Sequence, residues 1–189
     1  MQFNRHTNLE GLHAPFSPSQ SSWLRYDDEK AAIALKRKKA AAMGTRLHAW
    51  AKETIDLKLR QPRSDKTLYA YINDAIGFDM STEVVLYYSD YIFGTADAIC
   101  FRKVKGRWML RIHDLKTGET PVDMEQLEVY AALFCLEYGI KPGEIDMELR
   151  IYQSDKVLVH NPTAEDILPI MDQIVHLTRV AEKAECEEV

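Results

Sequence analysis

The sequence lacks the features that mark membrane, secreted and disulfide-rich proteins. No run of 18 or more apolar residues occurs in the 189-residue chain, and no charged and then apolar leader follows Met1, so we expect neither membrane insertion nor secretion. Cys100, Cys135 and Cys186 lie far apart without any CxxC spacing. This pattern indicates reduced thiols, two of them in the core, and neither a disulfide framework nor a zinc or iron–sulfur site. The expected location is the cytoplasm.

Internal repeats and low-complexity tracts are also absent, and the length fits one domain with its own core. The formal net charge of −5 is not typical of a nucleic-acid binder, but the charge is unevenly distributed. Residues 1–70 hold 13 lysines and arginines against 7 acidic residues, whereas residues 71–189 hold 11 against 22. A basic N-terminal part and an acidic catalytic part would suit a phosphate-rich partner. On charge alone, the simpler interpretation is that residues 36–39 (KRKK) form the solvated face of a helix.

Hydrophobic periodicity predicts a helical N-terminal portion, residues 17–60, and a sheet within residues 82–160. The helical portion opens with the capping-box sequence Ser17, Pro18, Gln20, and Gly44 would break or re-aim the helix. Beyond it, the apolar stripe Leu47, Ala51, Ile55 and Leu59 predicts a helix with one buried face. The other predicted helices are 68–76, 122–138 and 163–184, and the predicted strands are 82–88, 91–103, 107–116, 146–153 and 156–160. The first three strands are expected to be antiparallel, and the crossover helix 122–138 allows the fourth to lie parallel.

Two charged residues occupy the apolar face of the strand 107–116. Alternation places Asp114 and Lys116 on the face that carries Trp108, Leu110 and Ile112. Burial of an unpaired carboxylate or ammonium group is unfavourable, so such positions usually hold an ion pair, a metal ion or a catalytic group. His113 points to the other face, and we assign it no role.

A second carboxylate is expected beside Asp114. Alternation puts Asp97 on one face with Thr95 and Ile99, on the strand that pairs with the strand of Asp114. Two such carboxylates would repel each other and raise the pKa of one of them, unless a divalent cation lies between them. His48, beside the apolar stripe of the N-terminal helix, is a candidate third ligand.

Lys116 supplies a fixed positive charge at the same place, and Gln126 and Tyr130 share one face of the crossover helix at a spacing of four residues. Each residue also has an ordinary explanation. A lone histidine is more often a satisfied polar residue, Asp97 could belong to a turn or bulge after Gly94, and Asp114 and Lys116 could form a simple ion pair. The combination of these residues in this order is what favours a functional site.

At these residues the sequence resembles the PD-(D/E)xK nuclease superfamily, within it the RecB-like branch that includes phage recombination exonucleases and CRISPR-associated nucleases. The resemblance covers about residues 17–152 and is carried by "SPSQ", "GTRLH", "GTADAI", "HDLKTG" and "QLEVYA". It implies an α/β fold with a restriction-endonuclease-like core, in which helices flank a mixed central sheet in αβββαβ order. Residues 1–189 would then form a single nuclease domain.

The resemblance also implies roles for individual residues. His48, Asp97 and Asp114 would bind Mg²⁺ or Mn²⁺ with the backbone carbonyl of Leu115, and Lys116 would be the catalytic lysine. Gln126 and Tyr130 would support the site. CRISPR-associated relatives usually carry four cysteines for an iron–sulfur cluster, so this three-cysteine chain is expected to have none. No helicase region is present either, which argues against processive unwinding.

The expected function is a metal-dependent DNA exonuclease in recombination, repair or phage DNA processing. Its location would be a bacterial or phage-infected cytoplasm. DNA is the expected partner, with a single-strand annealing protein and a homo-oligomeric ring as extrapolations from the family. Two alternatives remain open. One is a non-catalytic DNA- or partner-binding module on a nuclease fold. The other is a structural protein with an internal Asp114–Lys116 ion pair, which would gain no thermal stability from metal.

Overall fold

The structure, a computed structural model, describes residues 14, 16–118 and 123–187. By contacts the chain divides into two compact units, Met1–Arg46 and Leu47–Val189. Among the described residues, no helix is both long enough and apolar enough to cross a membrane. The helices and strands are a 3₁₀ helix Pro18–Arg25, α1 Asp28–Asp56, α2 Thr67–Gly77, β1 Ser81–Ser89, β2 Ile92–Val104, β3 Arg107–Lys116, α3 Glu125–Tyr138, a 3₁₀ turn Pro142–Glu144, β4 Ile145–Gln153, β5 Lys156–His160 and α4 Ala164–Glu187.

The first unit contains the 3₁₀ helix and the beginning of α1. Pro18 takes the first helical position, as predicted, and the Ser17 side chain does not cap the helix. The side chain of Gln20, the other half of the expected capping box, lies outside the described part of the structure. Asp27 caps the N-terminus of the next helix, α1, because its side-chain oxygen accepts a hydrogen bond from the Lys30 N–H at 2.7 Å. Residues 36–39 are exposed on α1, in agreement with the simpler interpretation of their charge.

The predicted break at Gly44 is wrong, because α1 continues through this residue to Asp56. A glycine inside a helix costs only about 1 kcal/mol relative to alanine, which flanking alanines and long side chains can offset. The apolar stripe is right at Ala51 and Ile55, both 1% exposed, and wrong at Leu59, which is 54% exposed. Leu59 lies beyond the end of the helix and therefore outside its buried face.

The second unit is built on a five-stranded mixed sheet in the order β1-β2-β3-β4-β5. β1, β2 and β3 form the predicted antiparallel meander, and β4 pairs with β3 in parallel, as a crossover through α3 requires. α3 begins at Glu125, and residue 122, where we expected its start, lies outside the described residues. α3 ends at Tyr138, and the left-handed backbone of the next residue, Gly139 (φ 63°), closes its last turn.

Each face of the sheet has its own hydrophobic cluster. The larger cluster joins α3 and α4 to one face through residues such as Ile112, Leu127 and Ile151. The smaller one joins the last turns of α1 and α2 to the other face, with Ile55 and Tyr152 among its members. A fully buried aliphatic side chain contributes about 1.5–3 kcal/mol, so both layers are firmly held. As predicted, Cys100 and Cys135 are buried free thiols.

Candidate metal centre

The centre begins at the carboxyl end of β3, where Asp114 and Lys116 follow the buried Ile112 on the face covered by α3. Asp114 is 4% exposed. The Lys116 Nζ atom donates a hydrogen bond to Asp114 Oδ1 at 3.1 Å and lies 2.9 Å from Oδ2. Oδ2 is buried, and no residue in the described part of the chain makes a well-directed hydrogen bond to it. Both oxygens of this buried carboxylate therefore face the Lys116 ammonium group, and Oδ2 keeps lone pairs for a better-directed interaction with a ligand.

Lys116 is also held by α3. Its Nζ donates to Gln126 Oε1 at 2.8 Å, and Gln126 Nε2 donates to the Tyr130 hydroxyl at 3.3 Å. Gly94 permits this arrangement, because a Cβ atom there would lie 2.9 Å from Tyr130 Cε1. The two residues expected from their four-residue spacing therefore fix the position of the lysine ammonium group.

Asp97 reaches the centre because β2 and β3 diverge there. Their ladder ends at the pair Ala98–His113, and Asp97 Oδ2 accepts the Leu115 N–H at 2.9 Å in place of a backbone carbonyl. His48 Nδ1 lies 3.4 Å from the same oxygen. Burial, together with the charge of Asp114, raises the pKa of Asp97 to about 6, although the Leu115 N–H and His48 act in the opposite direction.

The expected alternation along β2 is wrong around Asp97. Ala96 packs in the α3-side cluster and Ala98 in the α2-side cluster, although residues two apart normally share a face. Thr95 is exposed, whereas Ile99 is buried against the α3 layer. In β1, the neighbouring pairs place Glu83 opposite Asp97, and Glu83 has a left-handed backbone (φ 51°). This local irregularity coincides with the change of face.

Glu83 is a member of the centre that sequence reasoning missed. Ligand atoms of His48, Glu83 and Asp97 all lie within 4.8 Å of one another. An exposed glutamate in an edge strand gives no signal by itself, and only the β1–β2 register brings it opposite Asp97. Tyr71 was missed as well. Burial, followed by the charges of Asp97 and Asp114, raises the pKa of this phenol, which keeps it neutral beside the carboxylates.

The structure therefore arranges these residues in two linked sets. One joins the predicted ligands His48 and Asp97 with Glu83, which was not predicted, and the other is the chain Asp114, Lys116, Gln126 and Tyr130, which holds the third predicted ligand, Asp114. Asp97 joins them, through its hydrogen bond to the backbone of Leu115 and through the electrostatic effect of Asp114 on its pKa.

The donor set fits a hard divalent cation. Glu83 and Asp97 lie beside Asp114, and in the described part of the chain neither of them forms an ion pair with a lysine or arginine, so the concentration of negative charge favours a cation at the centre. Carboxylate oxygens suit Mg²⁺, and the imidazole nitrogen of His48 makes Mn²⁺ equally acceptable. Asp114 Oδ2, which is buried and has only a poorly directed contact with Lys116, would offer such an ion a further oxygen ligand.

Comparison of the chain with models of known protein families finds no match, and comparison with curated proteins finds none either. The residues of the centre and their geometry therefore carry the functional argument.

Proposed function

We propose that the protein is a metal-dependent nuclease that hydrolyses phosphodiester bonds in DNA, acting as an exonuclease in DNA recombination, repair or phage DNA processing. The observation that carries the proposal is the convergence of the ligand atoms of His48, Glu83 and Asp97, all within 4.8 Å of one another, next to the buried Asp114 and its partner Lys116. An Asp114–Lys116 ion pair with a purely structural role would give no reason for a histidine and two further carboxylates to converge beside it.

His48, Asp97 and Asp114, with Glu83 beside them, would hold the ion. When bound, a divalent cation lowers the pKa of water and polarises a phosphoryl group. Hydrolysis joins the oxygen of water to phosphorus and breaks the bond from phosphorus to a sugar oxygen. One proton of water passes to solvent and the departing oxygen gains a proton.

Lys116 would stabilise the charge that develops on the phosphoryl oxygens. Its ammonium group is held at 2.8 Å by Gln126 Oε1 and at 3.1 Å by Asp114 Oδ1, so little reorganisation is needed as the charge appears. Tyr130 limits the rotation of Gln126 through its hydroxyl. Gln126 and Tyr130 thus position the Lys116 ammonium group, and the carboxylates would hold the metal ion.

The preference for an exonuclease acting on DNA rests on the sequence resemblance of "GTADAI" and "HDLKTG" to RecB-like nucleases. The test is digestion of end-labelled linear DNA with the purified protein, in Mn²⁺, in Mg²⁺ and in EDTA, beside a covalently closed circle. We expect progressive release of label from linear DNA only with metal, and an intact circle. Cleavage of the circle would indicate an endonuclease. Intact DNA in every condition would contradict nuclease activity and favour the non-catalytic binding module.

A further inference from the structure

A polar cavity of about 460 Å³ lies beside the candidate metal centre. Its wall is formed by the end of α1, the turn after α2 and the facing parts of β1 and β2. Three cationic side chains line it against two carboxylates, and two hydroxyl groups add donors. The lining residues are Lys52, Ile55, Asp56, Lys58, Asp79, Met80, Ser81, Thr82 and Arg102.

The cavity is continuous with the metal centre along two elements. On α1, Lys52 follows the candidate ligand His48 by four residues, which is one helical turn, or about 6 Å along the axis. On β1, Thr82 directly precedes Glu83. The distance of about 6 Å along α1 between His48 and Lys52 is similar to the spacing between neighbouring phosphates of one nucleic-acid strand.

Two of the three cations of the cavity are arranged around Asp79, and the third, Lys52, pairs with Asp56 one turn further along α1. Lys58 and Arg102 both donate to the Asp79 carboxylate and hold its pKa at about 2. In the described part of the chain, both hydrogen bonds of Arg102 use Nη2, one to the Asp79 side chain and one to its backbone carbonyl. The Nε and Nη1 donors of the guanidinium group remain, and each can donate a charge-assisted hydrogen bond to a phosphate oxygen.

Left-handed backbones hold Lys58 (φ 56°) and Asp79 (φ 50°) at the cavity. Each closes the C-terminal turn of a helix, because the Leu59 N–H donates to the Thr54 carbonyl after α1 and the Met80 N–H donates to the Ala75 carbonyl after α2. These closed turns fix where the two charged side chains leave the backbone, and Glu83, at the candidate metal centre, also has a positive φ. The other non-glycine residues with positive φ among those described lie in the β2–β3 and β4–β5 hairpin turns, and they are Lys105, Ser154 and Asp155.

We propose that this cavity binds a phosphate group of the nucleic-acid strand whose neighbouring phosphodiester lies at the metal centre, with Lys52, Lys58 and Arg102 as its ligands. The identification of the ligand with a nucleic-acid strand rests on the proposed nuclease function. The phosphate belongs either to a strand terminus or to the internal backbone. Both have the same chemistry, and the substrates used in the test distinguish them.

The test measures binding of fluorescent single-stranded oligonucleotides in EDTA, so that it does not depend on cleavage. The double variant Lys58→Gln/Arg102→Gln should raise Kd at least tenfold, because charge-assisted hydrogen bonds to phosphate are lost. The slope of log Kd against log salt should fall by about 0.7, the value for one phosphate of a single strand. Ion pairs of exposed residues contribute little to stability, so the variant should fold, which its melting temperature checks.

The matched control is Lys156→Gln, which removes an exposed lysine of β5 and should bind as the wild type does. Oligonucleotides ending in 5′-phosphate, 3′-phosphate or hydroxyl groups then locate the site. If the phosphate is terminal, the wild type prefers one phosphorylated end and the double variant loses that preference; if it is internal, affinity falls equally for all three. A double variant with the Kd and salt slope of Lys156→Gln would overturn the proposed site. Failure of the nuclease proposal would appear separately, as wild-type protein that binds DNA but leaves it intact with Mn²⁺.

Discussion

His113 and Asp114 are neighbours in β3, yet they take part in opposite kinds of polar cluster on the two faces of the sheet. On the α2 face, the Tyr152 hydroxyl lies 3.2 Å from His113 Nδ1 and donates to Asp74 Oδ2 at 2.7 Å. Arg150 donates to the same Asp74 oxygen at 2.8 Å. On the α3 face, Asp114 has Lys116 as its cation and has Asp97 as a second acid nearby.

Charge balance is what separates the two clusters. On the α2 face the acidic and basic side chains match, since Glu148 pairs with both Arg111 and Arg150, and Asp74 pairs with Arg150. At the candidate metal centre, no lysine or arginine in the described part of the chain forms an ion pair with Glu83 or Asp97. A balanced network satisfies its own charges, whereas an excess of like charge is relieved by protonation or by a bound cation.

His113 shows why a buried histidine next to the proposed ligand Asp114 need not itself be a ligand. Burial, aided by the charges of Arg150 and Arg111, lowers its pKa to about 3, so its ring is neutral. Its Nδ1 is engaged by Tyr152, and its ring meets Phe78 edge-on at 5.7 Å. Its Nε2 has no hydrogen-bond partner within the described residues, but an uncharged nitrogen is far less costly to bury than a carboxylate.

The largest effect expected from this contrast is the loss of activity in Lys116→Ala. Removal of a preorganised charge at the reacting phosphoryl group typically lowers kcat by about 10² to 10³. DNA binding in EDTA should be retained, and activity on end-labelled DNA with Mn²⁺ is the measurement. Lys156→Ala, which removes an exposed lysine of β5, should keep wild-type activity. A Lys116→Ala protein with wild-type activity would rule out the catalytic role proposed for Lys116 and the active site proposed for the α3 face.

Local sequence patterns were sufficient for most of the fold. The strands 107–116 and 156–160 have the predicted bounds, and the limits of the other three strands differ by one residue at most. Alternation along β3 also placed Asp114 and Lys116 on the α3 face, because a regular strand of ten residues obeys its own period. Turn chemistry and periodicity act over a few residues, and a sequence displays them directly.

What the sequence did not disclose depends on residues far apart in the chain. The change of face at Asp97 coincides with the left-handed backbone of Glu83 in the neighbouring strand. Glu83 itself is an exposed acid, and such residues are common in edge strands. Its role follows only from the β1–β2 register and from the position of His48 on α1. Convergence of this kind is a tertiary property.

Addition of Mn²⁺ should stabilise the wild type and should fail to stabilise Asp114→Asn. An ion present at one hundred times its Kd contributes about 2.7 kcal/mol, which corresponds to about 5 to 10 °C in Tm for a chain of this size. His48→Ala should reduce the gain. Thermal melts with Mn²⁺ and with EDTA measure it, and Asp155→Asn, in the β4–β5 turn, is the control. An equal Tm in Mn²⁺ and EDTA for the wild type would support the internal ion pair instead.

Tyr152→Phe, on the α2 face, should lower the stability of the protein without changing its response to metal. Loss of the hydroxyl leaves His113 Nδ1 and one bond of Asp74 unmet, at a cost of about 1–3 kcal/mol in the free energy of unfolding. The gain in Tm on adding Mn²⁺ should remain that of the wild type. Denaturant unfolding and the thermal melts report the two quantities separately. Loss of the Mn²⁺ effect in this variant would mean that the network also positions the metal ligands.

The smallest expected effect concerns Gly94, the residue that allows Tyr130 to lie against β2. In Gly94→Ala the new Cβ would lie 2.9 Å from Tyr130 Cε1, so the ring must move and weaken the support of Gln126. Overpacking of a core usually costs about 1–3 kcal/mol, and because a tyrosine ring can rotate away we expect a cost of about 1 kcal/mol here. This corresponds to a fall in activity of about fivefold. Gly143→Ala, where the nearest atom would lie 3.8 Å away, should have no effect on activity.

The double variant Gly94→Ala/Tyr130→Ala separates a displaced ring from damage to the strand. If the methyl group acts only by moving Tyr130, its effect disappears once that ring is absent, and the double variant has the activity of Tyr130→Ala alone. Independent effects would multiply instead, and would show that Gly94 is required by the backbone of β2. Steady-state kinetics on the same end-labelled DNA provide the comparison, and Tm values confirm that each variant is folded.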